Sequence, residues 1–139
     1  DWDIIALIPD FDLPTAKARA VLPQQVSRGD AIYNVAHGAM VLKALELGDE
    51  KLLRNGMQDK LHQNYRRHLI EDYDRIEAMV RTTGAAFCLS GAGPTLLCIT
   101  RNDGLEELLK EKLPKITKAN WQVLPLHVEF EGARIISEE

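Results

Sequence analysis

The chain has 139 residues, 45% hydrophobic and 27% charged, enough for one domain with a sizeable core and ordinary for a soluble globular protein. A formal charge of −4 argues against a nucleic-acid surface, and no basic run is long enough for a membrane surface. No stretch approaches the ~18 apolar residues of a membrane span. Cys88 and Cys98 lie in apolar runs, where they read as reduced core residues of a cytoplasmic protein.

Asp1-Trp2-Asp3 leads straight into the apolar run Ile4–Ile8, as if the chain were entered in mid-fold, and this reads as a domain cut from a longer parent. The run is continuous and predicts a central strand ended by Pro9. Thr15 is placed to cap a short helix, Ala16–Leu22, which Pro23 ends. Thr15 and Arg19, four apart, share a face, so a hydroxyl and a guanidinium could converge on one ligand. By themselves they read as a cap and a solvated arginine.

Ser27 or Asp30 opens the longest predicted helix, running to about Leu47 with Gly48 as its stop. Ala31, Ile32, Val35, Ala39, Leu42 and Leu45 form a wide apolar stripe that reads as core, interrupted by Asn34, His37 and Gly38. Asp49 begins a short helix ending near Gly56, and a helical segment follows through Asp59, Leu61 and His62. His62 to His68 is the one local basic concentration; the two histidines are six apart, with no partner at a ligand spacing, so no metal site is expected. Asp74-x-x-Glu77 has the form of a capping box for a helix that Gly84 terminates.

Two short apolar runs, Ala85–Leu89 and Thr95–Ile99, then flank Ser90-Gly91-Ala92-Gly93-Pro94. They predict two buried strands joined by a tight loop, with Gly91 and Gly93 free to take positive φ or admit a close neighbour. The plain reading is a ligand-free hairpin turn; the functional one is a loop whose amides face an anion. Asn102-Asp103-Gly104 is a turn, with Asp103 and Glu106 as a second box. Leu105, Leu108, Leu109 and Leu113 line the next helix up to Pro114. Trp121–Phe130 reads as a last strand that Pro125 demotes to an edge, before the tail Ala133–Ile136. The order is βαββαβ with extra helices in the first crossover. It predicts an α+β, ferredoxin-like sandwich, a four-stranded antiparallel sheet with its helices on one face.

The strand-flanked Ser90-Gly91-Ala92-Gly93-Pro94-Thr95 resembles the C-terminal motif of the GHMP kinases. Within that superfamily the chain looks most like the homoserine kinases. Pro14-Thr15-Ala-Lys-Ala-Arg19 with Leu22-Pro23 is similar to their T-x-x-x-R…LP segment, and Asp59, His62, Tyr65 and Arg66 to their D-x-x-H-x-x-Y-R stretch. Ser27, Asp30, Ala31 and Asn34 stand where that family's next helix begins. Two departures stand out: Asn64 replaces the usual proline, and Leu69-Ile70-Glu71-Asp72 replaces the commoner L-I-P-G.

The resemblance implies the C-terminal half of an enzyme that transfers the ATP γ-phosphate to the hydroxyl of L-homoserine, in threonine biosynthesis. ATP and Mg2+ would be bound mainly by an N-terminal domain whose P-x-x-x-G-L-G-S-S loop has no counterpart here, so no catalytic residue is placed in this chain. Thr15, Arg19 and Arg66 would surround the amino-acid end of homoserine, and the Ser90–Thr95 loop would close the site. The implied partners are L-homoserine, ATP and the N-terminal domain, with a homodimer also admitted. The other readings are a GHMP kinase of mevalonate type and a non-catalytic ferredoxin-like module that binds an amino acid.

Overall fold

Strand β1 (Asp3–Pro9) lies inside a four-stranded antiparallel sheet of order β2-β3-β1-β4, where β2 is Ala86–Leu89, β3 is Leu96–Thr100 and β4 is Trp121–Leu126. Between β1 and β2 run α1 (Thr15–Ala20), α2 (Arg28–Leu47), α3 (Glu50–Gly56), α4 (Gln63–Arg66), a 3-10 turn over Arg67–Leu69, and α5 (Tyr73–Thr83); α6 (Leu105–Ile116) joins β3 to β4. The computed structural model describes residues 1–135. The fold is therefore α+β, with the strand order that a βαββαβ chain gives when both crossovers are right-handed.

Strand alternation sorts the core into two layers. Ile5 and Leu7 of β1, Leu96 and Cys98 of β3, and Leu89 of β2 meet Tyr73, Ile76 and Val80 of α5 and Leu105, Leu109 and Leu113 of α6. The expectation of helices on one face holds for this α5–α6 layer. It does not hold for the inserted pair: Ile4, Ala86 and Ile99 point the other way and are covered by Ala44 of α2 and Leu53 of α3. The reason is β1 itself, whose unbroken apolar run needs cover on both sides.

Several local signals work as read, and others are overruled. Ser27 Oγ accepts from Asp30 N at 3.0 Å to start α2, and Gly48 ends it at φ 68°. Neither D-x-x-E box forms: α5 and α6 start from Asp72 and Gly104, both left-handed and without a side-chain cap. Asp74 and Glu77 are drawn instead to Arg67, whose Nη2 donates to both at 2.6 Å. Pro114 lies within α6, one turn from its end, where a missing N–H costs a single bond and the helix continues to Ile116. The last strand stops at Leu126, pairs only with β1, and so is an edge, as Pro125 indicates. Part of the predicted tail, Ile136, lies outside the described residues. The larger departure is α2: Ala44 is buried, but Ile32, Val35 and Leu42 are 62%, 77% and 73% exposed, so the stripe read as core is bare.

Cys88 and Cys98 are free thiols on opposite faces of neighbouring strands, which rules out a bridge between them. Burial pushes the Cys88 thiol up to about 11 and Cys98 higher still, as fits inert core residues. No helix among the described residues is long and apolar enough to cross a membrane.

Asp72 is the one described non-glycine residue with positive φ, 68°, and it stands where the commoner L-I-P-G pattern has its glycine. Its buried carboxylate accepts from Lys118 N at 2.8 Å and Ala119 N at 3.0 Å, tying the α4–α5 bend to the turn before β4. Burial raises its pKa, but these hydrogen bonds outweigh that and hold it below the usual carboxylate value. Asp72→Gly should relieve the backbone but lose the tie, whereas Asp72→Ala loses the tie and keeps a Cβ at positive φ. In urea denaturation Asp72→Ala is expected to be the less stable of the two by about 1 kcal/mol.

Candidate functional site

The candidate site forms where β1 ends and the β2–β3 loop turns, since Leu7 and Leu89 both pair with Leu96. Beyond β1 the chain enters α1, whose N-cap is Pro14 rather than Thr15, so the Thr15 hydroxyl makes no capping bond. Ala18 anchors the helix in the core, leaving Thr15 and Arg19 exposed, their side chains without a hydrogen-bond partner among the described residues. The predicted shared face exists, and both side chains are free to meet a ligand.

Arg66 at the end of α4 connects this helix to the glycine-rich loop. Its Nε donates to the Ala18 carbonyl at 3.0 Å and its Nη1 to the Gly91 carbonyl at 3.2 Å. Nη1 also lies 3.2 Å from Nδ1 of His62. One guanidinium thus gathers α1, α4 and the loop, segments 48 and 25 residues away from it in sequence. Arg67 does not point here: it is held by Asp74 and Glu77 and stacked on Tyr73, 4.8 Å from the ring centroid.

The loop is a tight turn closed by Ser90 N to Thr95 O at 2.9 Å and Gly93 N to Ser90 O at 3.0 Å. Gly91 and Gly93 have φ of 59° and 83°, and the Gly93–Pro94 peptide is cis. A Cβ on Gly93 would meet Ile70 Cδ1 and Leu89 Cδ1 at 3.0 Å, whereas one on Gly91 would meet nothing within 4 Å. Both proposed uses of glycine therefore occur: positive φ at both positions, close approach at Gly93 alone. The N–H groups of Gly91 and Ala92 have no hydrogen-bond partner among the described residues, and amides of this kind suit an anion.

A second tier holds these parts, and the sequence signals it only in part. Asp59 accepts from Asn34 Nδ2 at 2.7 Å and from the amides of His62 and Gln63 at 2.7 and 2.6 Å. Gln63 Oε1 accepts from Leu89 N at 2.7 Å, pinning α4 to β2 one residue before the loop. Asn34 carried a signal, as a polar interruption of the apolar α2; Gln63 carried none. Burial raises the Asp59 carboxyl, but the Asn34 amide and the two backbone N–H groups outweigh it, so its pKa lies below the ordinary value. His62 is lowered by burial and by the Arg66 charge, against a partial pull upwards from Asp59. A neutral His62 with its proton on Nε2, 3.7 Å from Asp59, leaves Nδ1 to accept from Arg66.

A cavity of about 870 Å³ lies at the other end of β1, lined by Trp2, Asp3, Ile4, Asp103, Leu126 and Phe130, away from every residue of the site. No group of three or more His, Cys, Asp or Glu among the described residues is placed to hold a metal ion.

The family model described as GHMP kinases C terminal matches residues 41–119, from the second half of α2 to the turn before β4. The chain belongs to the GHMP kinases. It is 41% identical over 134 residues to the homoserine kinase of Crocosphaera subtropica, covering 94% of this chain and 44% of that protein. It is also 41% identical over 135 residues to that of Clostridium botulinum, covering 95% and 45%. The crystal structure of homoserine kinase from Cytophaga hutchinsonii superposes with a TM-score of 0.81 at 21% identity, over 91% of this chain and 42% of that one, a likeness of fold. The chain therefore spans less than half the length of these relatives.

Two outcomes follow from this geometry. Gly91→Ala should cost about 1–2 kcal/mol from positive φ alone, and Gly93→Ala more, because Ile70 and Leu89 must also move. Equal losses in urea denaturation would show that Gly93 is not packed as described. For His62 the folded pKa is depressed, so its contribution is complete above the unfolded value of 6.5 and falls away as the pH drops through the folded pKa. Asp59, also depressed, loses its contribution only below 3.8. Between about pH 7.5 and about pH 5.5, His62→Gln, which keeps an acceptor for Arg66, should lose less stability than the native chain.

Proposed function

We propose that this chain is the substrate-holding half of a homoserine kinase, which moves the γ-phosphoryl group of ATP to the side-chain hydroxyl of L-homoserine. The observation that supports the reading is the Arg66 guanidinium, which hydrogen-bonds the Ala18 carbonyl of α1 and the Gly91 carbonyl of the loop, and so ties the helix that carries Thr15 and Arg19 to the glycine-rich loop. The identity to homoserine kinases over nearly the whole chain supports it.

Phosphoryl transfer is largely positioning and charge stabilisation, and this half supplies positioning. Arg19, with all its donors free, grips the planar carboxylate of the amino acid by a bidentate fork, and the Thr15 hydroxyl one turn away takes a further polar contact. Arg66 has spent Nε and Nη1 on the protein, so it contributes Nη2 and, above all, the spacing between α1 and the loop. The Gly91 and Ala92 amides face the phosphate side. ATP supplies the phosphoryl group and Mg2+ neutralises its charge; the residues that hold them belong to the N-terminal portion of the longer protein. The mevalonate-type and module readings gain no observation of their own.

The test is a chimera joining this chain to the N-terminal portion of the Crocosphaera homoserine kinase. The chimera should phosphorylate L-homoserine, while the 139-residue chain alone should fold and consume no ATP. Arg19→Ala should raise the KM for homoserine about ten- to a hundred-fold and leave the KM for ATP nearly unchanged, the loss of one charged hydrogen-bond partner. Arg66→Ala should lower kcat as well, because the loop loses its support. Lys17→Ala, on another side of α1, should change neither. A chimera that folds but ignores homoserine would overturn the assignment.

A further inference from the structure

Arg66 is a donor only, and one of the groups that hold it can stop accepting. Its Nε donates to the Ala18 carbonyl, while Nη1 spends one N–H on the Gly91 carbonyl and the other on Nδ1 of His62, these last two at 3.2 Å. Arginine has no acceptor, so the contact with His62 exists only while Nδ1 is bare. A carbonyl accepts at any pH, whereas an imidazole stops accepting once both ring nitrogens carry hydrogen. His62 stands at the start of α4, four positions before Arg66, which sets the ring beside the guanidinium on one side of the helix. With 32% of its side chain exposed, the ring can take a proton directly from water.

Two charged groups act on that ring among the described residues. Asp59, in the connection between α3 and α4, has Oδ1 3.7 Å from Nε2, beyond hydrogen-bond distance. Its oxygens are taken by Asn34 of α2 and by the amides of His62 and Gln63. Arg66 faces Nδ1 at 3.2 Å, and the groups that α1 and the loop bring to this arginine are the Ala18 and Gly91 carbonyls. Burial and the like charge of Arg66 together favour the neutral ring by more than Asp59 offsets. We propose that His62 is a positioning residue for the glycine-rich loop: its neutral imidazole holds the Arg66 guanidinium on the Gly91 carbonyl, and protonation of Nδ1 withdraws the guanidinium from the loop. On protonation one N–H bond forms, at Nδ1, and the hydrogen bond from Arg66 Nη1 is lost, leaving two cations in contact. Nη1 moves away and gives up Gly91, whereas Nε has an acceptor of its own and keeps Ala18. The loop is released and α1 is not. The effect on catalysis rests on the reading of this chain as the substrate-holding half; the coupling of His62 to the loop does not.

Nuclear magnetic resonance of the 139-residue chain between about pH 8 and about pH 5 reads this coupling with no substrate present. The Gly91 carbonyl carbon and the Ala92 amide should shift with the same midpoint as the His62 ring, while the Ala18 carbonyl carbon stays in place. In His62→Gln, which accepts from Arg66 at every pH, the loop signals should not titrate over this range. In His62→Ala they should already stand at the upper pH where those of the native chain stand at the lower one. A Gly91 carbonyl indifferent to the titration of His62, or one that titrates equally in His62→Gln, would overturn the proposal. The chimera with the Crocosphaera N-terminal portion supplies the kinetic arm. Between about pH 7.5 and about pH 5 its KM for homoserine should rise about three- to tenfold more with His62 than with His62→Gln, the worth of one hydrogen bond. The titration of ATP is common to both proteins and cancels in the comparison. An equal rise in both would overturn the positioning role. A chimera that ignores homoserine while the loop still follows His62 would overturn the function and support the positioning role.

Discussion

Strand β1 cannot be satisfied by one layer. Five consecutive apolar residues, Ile4 to Ile8, point alternately to both faces of the sheet, and each face must be kept from water. The α5–α6 layer solves the problem on the side of Ile5 and Leu7, with Ile76, Val80, Leu109 and Leu113 nearly or wholly inaccessible. On the other side Ile4 shares its cover with Ala86 and Ile99 beneath Ala44 and Leu53. The helices inserted in the first crossover are thus a second wall of the core. They also turn the far side of α2 outwards.

The candidate site hangs from this frame by polar bonds. Asp59 holds α2 to the start of α4 through Asn34, and Gln63 holds α4 to β2. Arg66 then spans from α4 to α1 and the glycine-rich loop. The partners of Arg66 are two carbonyls and an imidazole, with no carboxylate among them. No carboxylate among the described residues pairs with it, so its charge is not neutralised by them. Fixed by two backbone carbonyls, it sets the spacing between α1 and the glycine-rich loop.

Patterns of apolar spacing and glycine were legible because they act over a few residues. The α+β order, the β2–β3 turn and the Thr15–Arg19 face follow from such local signals. Relations between segments were not, as Arg66 shows: nothing near it in sequence names Ala18 or Gly91 as partners. The D-x-x-E boxes failed for a different reason. Arg67, stacked on Tyr73, competes for Asp74 and Glu77, while Asp72 and Gly104 begin their helices from left-handed conformations that no capping rule covers. On α2, periodicity identified an apolar stripe but could not say that Ala44 lay on the covered side and Val35 on the bare one. A helix with two apolar sides gives the same signal whichever side its own chain covers.

The bond from Leu89 N to Gln63 Oε1 also bears on solubility. β2 is an outer strand, and its unpaired amides would template the addition of a foreign strand. Gln63 occupies the last of them, and α4, followed directly by the 3-10 turn, stands beside that rim of the sheet. At the opposite rim Pro125 offers no N–H at all. Each border of the sheet thus carries its own obstacle to runaway strand addition, so the chain can expose an apolar helix while its strands stay closed to edge-to-edge aggregation.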